Sequence, residues 1–564
     1  MAEIAALADL VTRHTRPGMC LHFALHGSRP NAAIREIYRQ YAGTDPKFVL
    51  SSTGFGGPQL GLYLIAAGLG ERVVAGFVGD QYPAPGPSRA VKRRIDSGEV
   101  DLEDWSLYTF LLRLRAATLG VPWMPTRSFL GSSMGQHHGL REVTVDGEPL
   151  LLLPAHRPDV TFLHGVLADE DGNVLLTPPY GEGILGAAAA RLGAIVTVER
   201  IVSRAEFRRH SGLPTLPASF TLGVAEVPFG AHPSGLYAER IDQSLTYGED
   251  YDFIADSTRH LNGSADEFAQ WANTWLRVPA EEYQERLGAA RRRHLRAWRE
   301  WPADEPAEAG PPSAQELICA AAAALIRERV QRANPSSVLA GIGISSLATW
   351  LASSEEADFP PLISEVGFID YKPQPGNPFL FYFPNMESTS VLADVDTVLG
   401  GLVQGDGDNC LAVLAAGQID ASGAMNSSWT SQGWITGSGG ANDIATGAGD
   451  VVVLVPHQPG RLVENVEFVT SPGMNVHSIV TDLCVMRRAK STEPFSLTDV
   501  YLRDGETLED AVARVTAATP WPISPADDVR ALQPPDPNAL KILREFDPQG
   551  SFLRKTKRKE ASQS

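Results

Sequence analysis

The chain has 564 residues, 43% of them hydrophobic and 20% charged, and a formal net charge of −19. That composition supports large buried cores and argues against global disorder. The acidic balance argues against a general nucleic-acid or anionic-membrane binder, since both need basic faces. A phosphate-bearing ligand, which needs only a few local donors, stays open.

The opening MAEIAALADLVTRH lacks a basic segment followed by an apolar one, so no secretory leader is expected. No run of 18 apolar residues occurs, so no membrane span is expected. Cys20, Cys319, Cys410 and Cys484 are far apart and form no CxxC pair, which gives no basis for a disulfide framework or a zinc ribbon. A soluble, reducing, cytoplasmic setting is the expectation.

In chain order, a helical stretch AAIREIYRQY (32–41) is followed by Pro46 and an apolar strand running into FVLSSTGF (48–55). Val-rich strands follow at 159–174, which ends in an acidic turn with Gly172, and at 193–202. His137–His138 have no acidic ligand at helical spacing, and His164 and His232 stand alone; the expected role of the last two is a buried, hydrogen-bonded one. After basic residues around Arg291 to Arg299 comes WPADEPAEAGPPSAQE, read as a linker. Ser313 and Glu316 then form a capping-box pattern ahead of Leu317, Ala321, Ala324 and Leu325 at helical spacing. The expected division is 1–295, a linker over 296–312, and 313–564.

The second part repeats the order of the first. SLATWLA (346–352) precedes Pro360 and PLISEVGF (361–368), so both parts carry an apolar strand ending in Ser-x-x-Gly-Phe: Ser51, Gly54, Phe55 and Ser364, Gly367, Phe368. CLAVLAAGQIDASGAMN, with Gly423 in its turn, answers the segment at 159–174, and GDVVVLVPHQ answers the strand at 193–202. This order suggests duplication. Short Val/Ile/Leu strands alternating with helices predict an α/β fold: two related domains, each an open, largely parallel sheet flanked by helices. Ligands of such sheets bind beyond the carboxyl ends of the strands.

Glu365 stands at such an end, before Gly367. An ionised carboxylate there can act as a nucleophile without a separate base; from position alone, the commoner role is a helix cap or an ion pair with Arg. ITGSGGANDIATGAGD (435–450) is glycine-rich and can aim backbone N–H groups at an anion or oxyanion. It matches neither the dinucleotide-binding spacing nor a P-loop, and a tight structural loop is its plain alternative. The basic tail with Lys555, Lys557 and Lys559 is expected to be solvated.

Taken together, these segments resemble class I CoA-transferases, most closely the glutaconate CoA-transferase branch, with the family's alpha-like and beta-like portions fused in one chain. LISEVGFIDYKP, AGQIDASGAMNSS, ITGSGGANDIAT, VENVEFVTSPG and PPDPNALKILREFDPQGSF are similar, in order, to the beta portion. NAAIREIYRQ, SGEVDLEDWSLYTF, ATLGVPWMPTRSFLGSS and VPFGAHPSGLY are similar, in order, to the alpha portion. The resemblance spans nearly all of the chain outside the linker and the two tips.

It implies a CoA transfer between carboxylic acids in which Glu365 attacks an acyl-CoA, with Gly437, Gly439, Gly440, Ala441, Asn442 and Gln418 as oxyanion or CoA-binding residues. Ser52, Gly54, Phe55 and Glu103 would shape the acyl pocket, Ser52 standing at the duplicate of the Glu365 position. The implied partners are an acyl-CoA and a carboxylic acid, with coenzyme A and no metal. Departures from the family pattern are Ala415–Ala416 where a Gly-Gly pair is common, and PHQPGRL, which leaves Arg461 as the main cation of a usually basic cluster. Two alternatives stay open. One is a thioester or carbon–carbon hydrolase or acyltransferase on the same frame, with Glu103 as the candidate carboxylate. The other is a non-catalytic acyl-CoA-binding protein. Oligomeric state is not legible.

Overall fold

In the computed structural model, residues 2–25, 27–301, 306, 310–405 and 407–554 are described. The basic tail and residues 302–305 and 307–309 of the predicted linker lie outside them.

The first half is built on a sheet whose eight-strand path is parallel throughout, in the order Glu3–Ile4, Thr221–Glu226, Gly193–Val202, Val160–Asp169, Cys20–Phe23, Phe48–Ser52, Gly70–Ala75 and Asp101–Asp104. Its central strands are apolar on both faces because helices cover both sides: all ten residues of Val160–Asp169 are buried.

The second half repeats this core. Leu362–Ser364, Ser337–Ala340, Cys410–Ala415, Asp450–Leu454 and Val476–Val480 run parallel and adjacent. They occupy the places of Phe48–Ser52, Cys20–Phe23, Val160–Asp169, Gly193–Val202 and Thr221–Glu226. The spatial order agrees with the duplication in the sequence.

The copies diverge after the Ser-ended strand. In the first half, Phe48–Ser52 leads through helix Gly61–Ala66 to a parallel neighbour, Gly70–Ala75. In the second half the chain reverses at once. Ser364 pairs antiparallel with Phe368, so Glu365, Val366 and Gly367 form a tight turn. Gly367 has φ of +109°, and a Cβ there would meet the backbone of Ala393 and Asp394 at 2.7–2.8 Å. A side chain at 367 would therefore reopen the turn that presents Glu365.

The halves share core rather than merely touching. Leu107 and Leu111, on the first-half helix Leu107–Leu119, pack in the second-half cluster with Leu339, Ile363 and Leu399. Trp434 packs in the first-half core and donates its indole N–H to the Val78 carbonyl at 3.1 Å. Helix Ala314–Ala333 opens with the Ser313–Glu316 capping box foreseen in the sequence. Among the described residues, no helix is long and apolar enough to cross a membrane.

Candidate active site

Glu365 stands one residue past its strand, at the seam between the halves. It keeps partial exposure, yet protein surrounds its carboxyl closely. Burial, with the nearby charge of Asp443 adding to it, pushes that carboxyl up to about 7; the Gly440 backbone N–H, donating to it, pulls the other way. The approach is close enough that a Cβ on Gly440 would overlap the Glu365 Oε2. Only glycine at 440 lets its amide face the carboxylate.

Gly440 caps helix Ala441–Gly447, and the loop ahead of it is tied to the first half. The Gly439 N–H donates to the Gly76 carbonyl at 2.8 Å, and the Gly439 carbonyl accepts from the Leu107 N–H at 3.0 Å. Val78 N–H donates to the Thr436 carbonyl at 2.9 Å. Gly437, at φ +96°, packs with its Cα against Asp104, and a Cβ there would lie 2.9 Å from Asp104 Oδ1.

Two further buried acids flank this loop, one from each half. Asp104 ends the strand Asp101–Asp104, and its Oδ2 accepts from the Ser428 hydroxyl of the second half at 2.6 Å. Burial pushes it up to about 8, against the pull of Ser428 and of the Ser438 backbone N–H. Asp443 lies in the first turn of Ala441–Gly447. Its Oδ1 accepts from the Ser106 hydroxyl at 2.7 Å and its Oδ2 from the Tyr108 N–H at 3.1 Å, both from the first half. Burial pushes it up to about 7, opposed by Ser106 and Tyr108. The two halves thus exchange carboxylates around the Gly439–Gly440 peptide.

A cleft of about 230 Å³ opens between the halves, lined by Leu111, Arg115, Tyr180, Ile184, Asp394 and Asp396 among others. It adjoins the Glu365 turn through backbone contacts: Tyr180 N–H donates to the Ala393 carbonyl, and Ala393 N–H to the Gly367 carbonyl. Arg115 pairs with Asp396 across it at 2.6 Å. A larger, more open depression of about 550 Å³ around Pro17, Tyr41 and Lys47 contains no residue of this site.

A family model described as Coenzyme A transferase matches residues 4–215. The chain is 32% identical over 298 residues to the cholesterol ring-cleaving hydrolase IpdA subunit of Mycobacterium tuberculosis, covering 50% of this chain and 94% of that protein. The chain belongs to the coenzyme A transferase family. It is also similar to the two different polypeptides of glutaconate CoA-transferase from Acidaminococcus fermentans. For one the identity is 27% over 319 residues, covering 52% of this chain and 93% of that polypeptide. For the other it is 28% over 167 residues, covering 25% and 59%. Among solved structures, the acyl-CoA transferase YdiF of E. coli O157:H7, in a CoA thioester complex, superposes with a TM-score of 0.66 at 14% identity. That match covers 94% of this chain and 95% of that one, and shows the shared fold.

Within this member of the coenzyme A transferase family, the predicted site residues separate into those near the Glu365 turn and those committed elsewhere. Gly437, Gly439 and Gly440 gather at the seam, but only the Gly440 amide faces Glu365, since the Gly439 amide is spent on Gly76. Ala441 N–H donates to the Ser438 carbonyl. The Asn442 side chain holds the Phe129 N–H at 2.9 Å and the Thr470 carbonyl at 2.8 Å, a structural clamp. Gln418 bonds the Gly460 carbonyl and the Asn426 amide. Arg461 is exposed and holds the Gly417 carbonyl at 3.0 Å.

The residues expected to shape the acyl pocket sit at the end of Phe48–Ser52, in the turn that follows it, and on the strand Asp101–Asp104 of the same sheet. Ser52 bonds within its own turn, to the Gly54 carbonyl at 3.0 Å and from the Gly54 N–H at 3.3 Å. A Cβ on Gly54 would meet nothing closer than 3.6 Å. Phe55 is fully buried in the first-half core, edge-on to Phe23, as its counterpart Phe368 is in the second-half core. Glu103 faces away from its neighbour Asp104 along the strand and is held by Trp105 at 3.3 Å, Arg72 at 3.4 Å and Arg113 at 3.8 Å.

Asp104, Ser106 and Asp443 do not stand out in the sequence. A carboxylate in the first helical turn after a Gly-Gly pair is the available signal for Asp443. Glu182 is equally silent there. It is buried after the Pro178–Pro179–Tyr180–Gly181 turn, with its carboxylate accepting from the Leu25 N–H at 2.8 Å and the Thr53 N–H at 3.3 Å.

Proposed function

We propose that this enzyme transfers CoA from an acyl-CoA to a second carboxylate in the glutaconate CoA-transferase manner, through a glutamyl-CoA thioester on Glu365. We read 1–295 as its alpha-like and 313–564 as its beta-like portion, joined over 296–312. The observation that carries the reading is the pairing of Glu365 with the Gly440 amide at the seam of the halves.

A Glu365 carboxylate oxygen attacks the thioester carbonyl, and the Gly440 N–H, which donates to the Glu365 carboxylate, is placed for the oxyanion that develops on the glutamyl carbonyl when the thiolate attacks in turn. The C–S bond breaks, leaving an acyl-glutamyl anhydride and CoA thiolate. The thiolate then attacks the glutamyl carbonyl of the anhydride, forming the glutamyl-CoA thioester and releasing the donor carboxylate. A second carboxylate repeats the steps in reverse and leaves as acyl-CoA. No net proton is required. A carboxyl raised to about 7 is a stronger base, and hence a better nucleophile, than an ordinary glutamate while remaining substantially ionised at neutral pH. Water must be kept from both covalent intermediates, and the shared core around Leu107, Leu111 and Leu399 supports such exclusion.

Steady-state kinetics test the reading. With acyl-CoA and carboxylate varied together, a ping-pong enzyme gives parallel double-reciprocal lines, whereas intersecting lines would rule out a free covalent intermediate. A second reading, hydrolysis, is supported by the similarity to the IpdA hydrolase. It predicts consumption of an acyl-CoA in the absence of any acceptor acid, with free thiol released if the thioester is hydrolysed and with the CoA thioester retained if a carbon–carbon bond is.

A further inference from the structure

A seven-residue helix is marginal by itself, so the direction of the Gly440 amide depends on what anchors Ala441–Gly447. Its anchors come from both halves. Asn442 clamps Phe129 of the first half and Thr470 of the second. Asp443 reaches the opposing helix Leu107–Leu119 and takes the Ser106 hydroxyl and the Tyr108 N–H, while the Gly439 carbonyl takes the Leu107 N–H. Two of the amides that open Leu107–Leu119 are therefore satisfied by the second half, and Thr109 N–H by the Ser106 side chain. Ser106 is also braced by Thr109 in a capping box, which fixes the hydroxyl that Asp443 holds.

Asp443 is fully buried, and burying a carboxylate is costly where an apolar residue would pack. Its position explains the cost. It lies three residues past Gly440, whose carbonyl accepts from Ile444 N–H at 2.9 Å in the same short helix. Asp443 touches Ser106 and Tyr108, so it acts on the reaction through the helix it anchors.

We propose that Asp443 is a positioning residue of this transferase: by bonding Ser106 and the Tyr108 N–H of the other half, it locks the Gly440 amide against Glu365. The site is then competent only when the two halves are docked in this register. The inference rests on the assignment of Glu365 as the nucleophile.

The test is the rate at which Glu365 is loaded, followed by quenched intact mass with an acyl-CoA, in the full chain and in Asp443→Ala, Asp443→Asn and Ser106→Ala. Asn can still accept from Tyr108 through Oδ1 and donate to Ser106 Oγ through Nδ2, so it preserves the geometry without the charge. We expect Asp443→Ala to lower kcat by about 10²-fold with KM for acyl-CoA within about threefold, the pattern of a displaced group. Asp443→Asn should recover most of the loss, and Ser106→Ala should lie between.

An undiminished loading rate in Asp443→Ala overturns the inference, as does an Asp443→Asn variant as slow as Asp443→Ala. If Asp443→Ala does not fold, Ser106→Ala decides, and a wild-type rate there overturns it. A wild-type chain that turns over acyl-CoA without loading Glu365 overturns the Glu365 reading and the inference with it. Loading that is present and indifferent to Asp443 overturns the inference alone.

Discussion

The Glu365 carboxylate and the Gly440 backbone are packed so closely that a single methyl group at 440 would overlap Oε2. Gly440→Ala should therefore push the carboxylate aside or turn the amide away. Because the clash is with the far end of the Glu365 side chain, which can swing aside, rather than with backbone, the fold should survive. Loss of one preorganised oxyanion donor is worth about 10²–10³-fold in kcat. That loss, with an unchanged melting transition, is the expected result.

The rate should titrate. Attack needs ionised Glu365, so kcat/KM should fall as pH drops through about 7. The negative charge of Asp443 is part of what holds Glu365 high. Removing that charge in Asp443→Asn favours the ionised glutamate, so the acid limb of the profile should move to lower pH. A limb that stays in place would show that the two carboxyls do not sense one another.

Stability should carry the same signature. A group whose folded pKa is raised contributes stability below its unfolded value, near 4.5, and loses it as pH rises through about 7. Above pH 7 the buried ionised Glu365 is a net cost. Glu365→Gln should therefore raise Tm at pH 8 and leave it nearly unchanged at pH 4, measured by calorimetry. That is the exchange of stability for reactivity common at active sites.

Glu103 separates the transferase from the hydrolase alternative. It is itself partly exposed and pairs with the exposed Arg72, a contact of the kind that contributes about 0–1 kcal/mol, and with the buried Arg113 and Trp105. Glu103→Ala should change transferase kcat by less than about threefold. A loss comparable to that of Glu365→Ala would place the working carboxylate on the first half.

The strands and their duplication were legible because apolar runs and the repeated Ser-x-x-Gly-Phe carry them directly. Glu365 drew notice as a carboxylate at a strand end before a glycine, a position where a cap or ion pair is the commoner role, and the resemblance to a known family is what singled it out as the proposed nucleophile. The rest depended on docking. Asp104 and Ser428 are separated by 324 positions, and Ser106 and Asp443 by 337. Nothing local in either segment names its partner. The Gly439 and Gly440 amides are indistinguishable as letters, and only Gly76 on the other half decides which remains for Glu365. Ser52 copies the position of Glu365 in sequence, but its chain continues to the parallel strand Gly70–Ala75 and Ser52 is fully buried, whereas the hairpin at Gly367 presents Glu365 at the seam.

The most direct test of Glu365 as the nucleophile is the intact mass of the chain after incubation with acyl-CoAs, compared with Glu365→Ala. The expected result is a gain equal to CoA less one water, absent from Glu365→Ala and discharged by adding a carboxylic acid. Turnover of acyl-CoA with no adduct on the chain, persisting in Glu365→Ala, would contradict it.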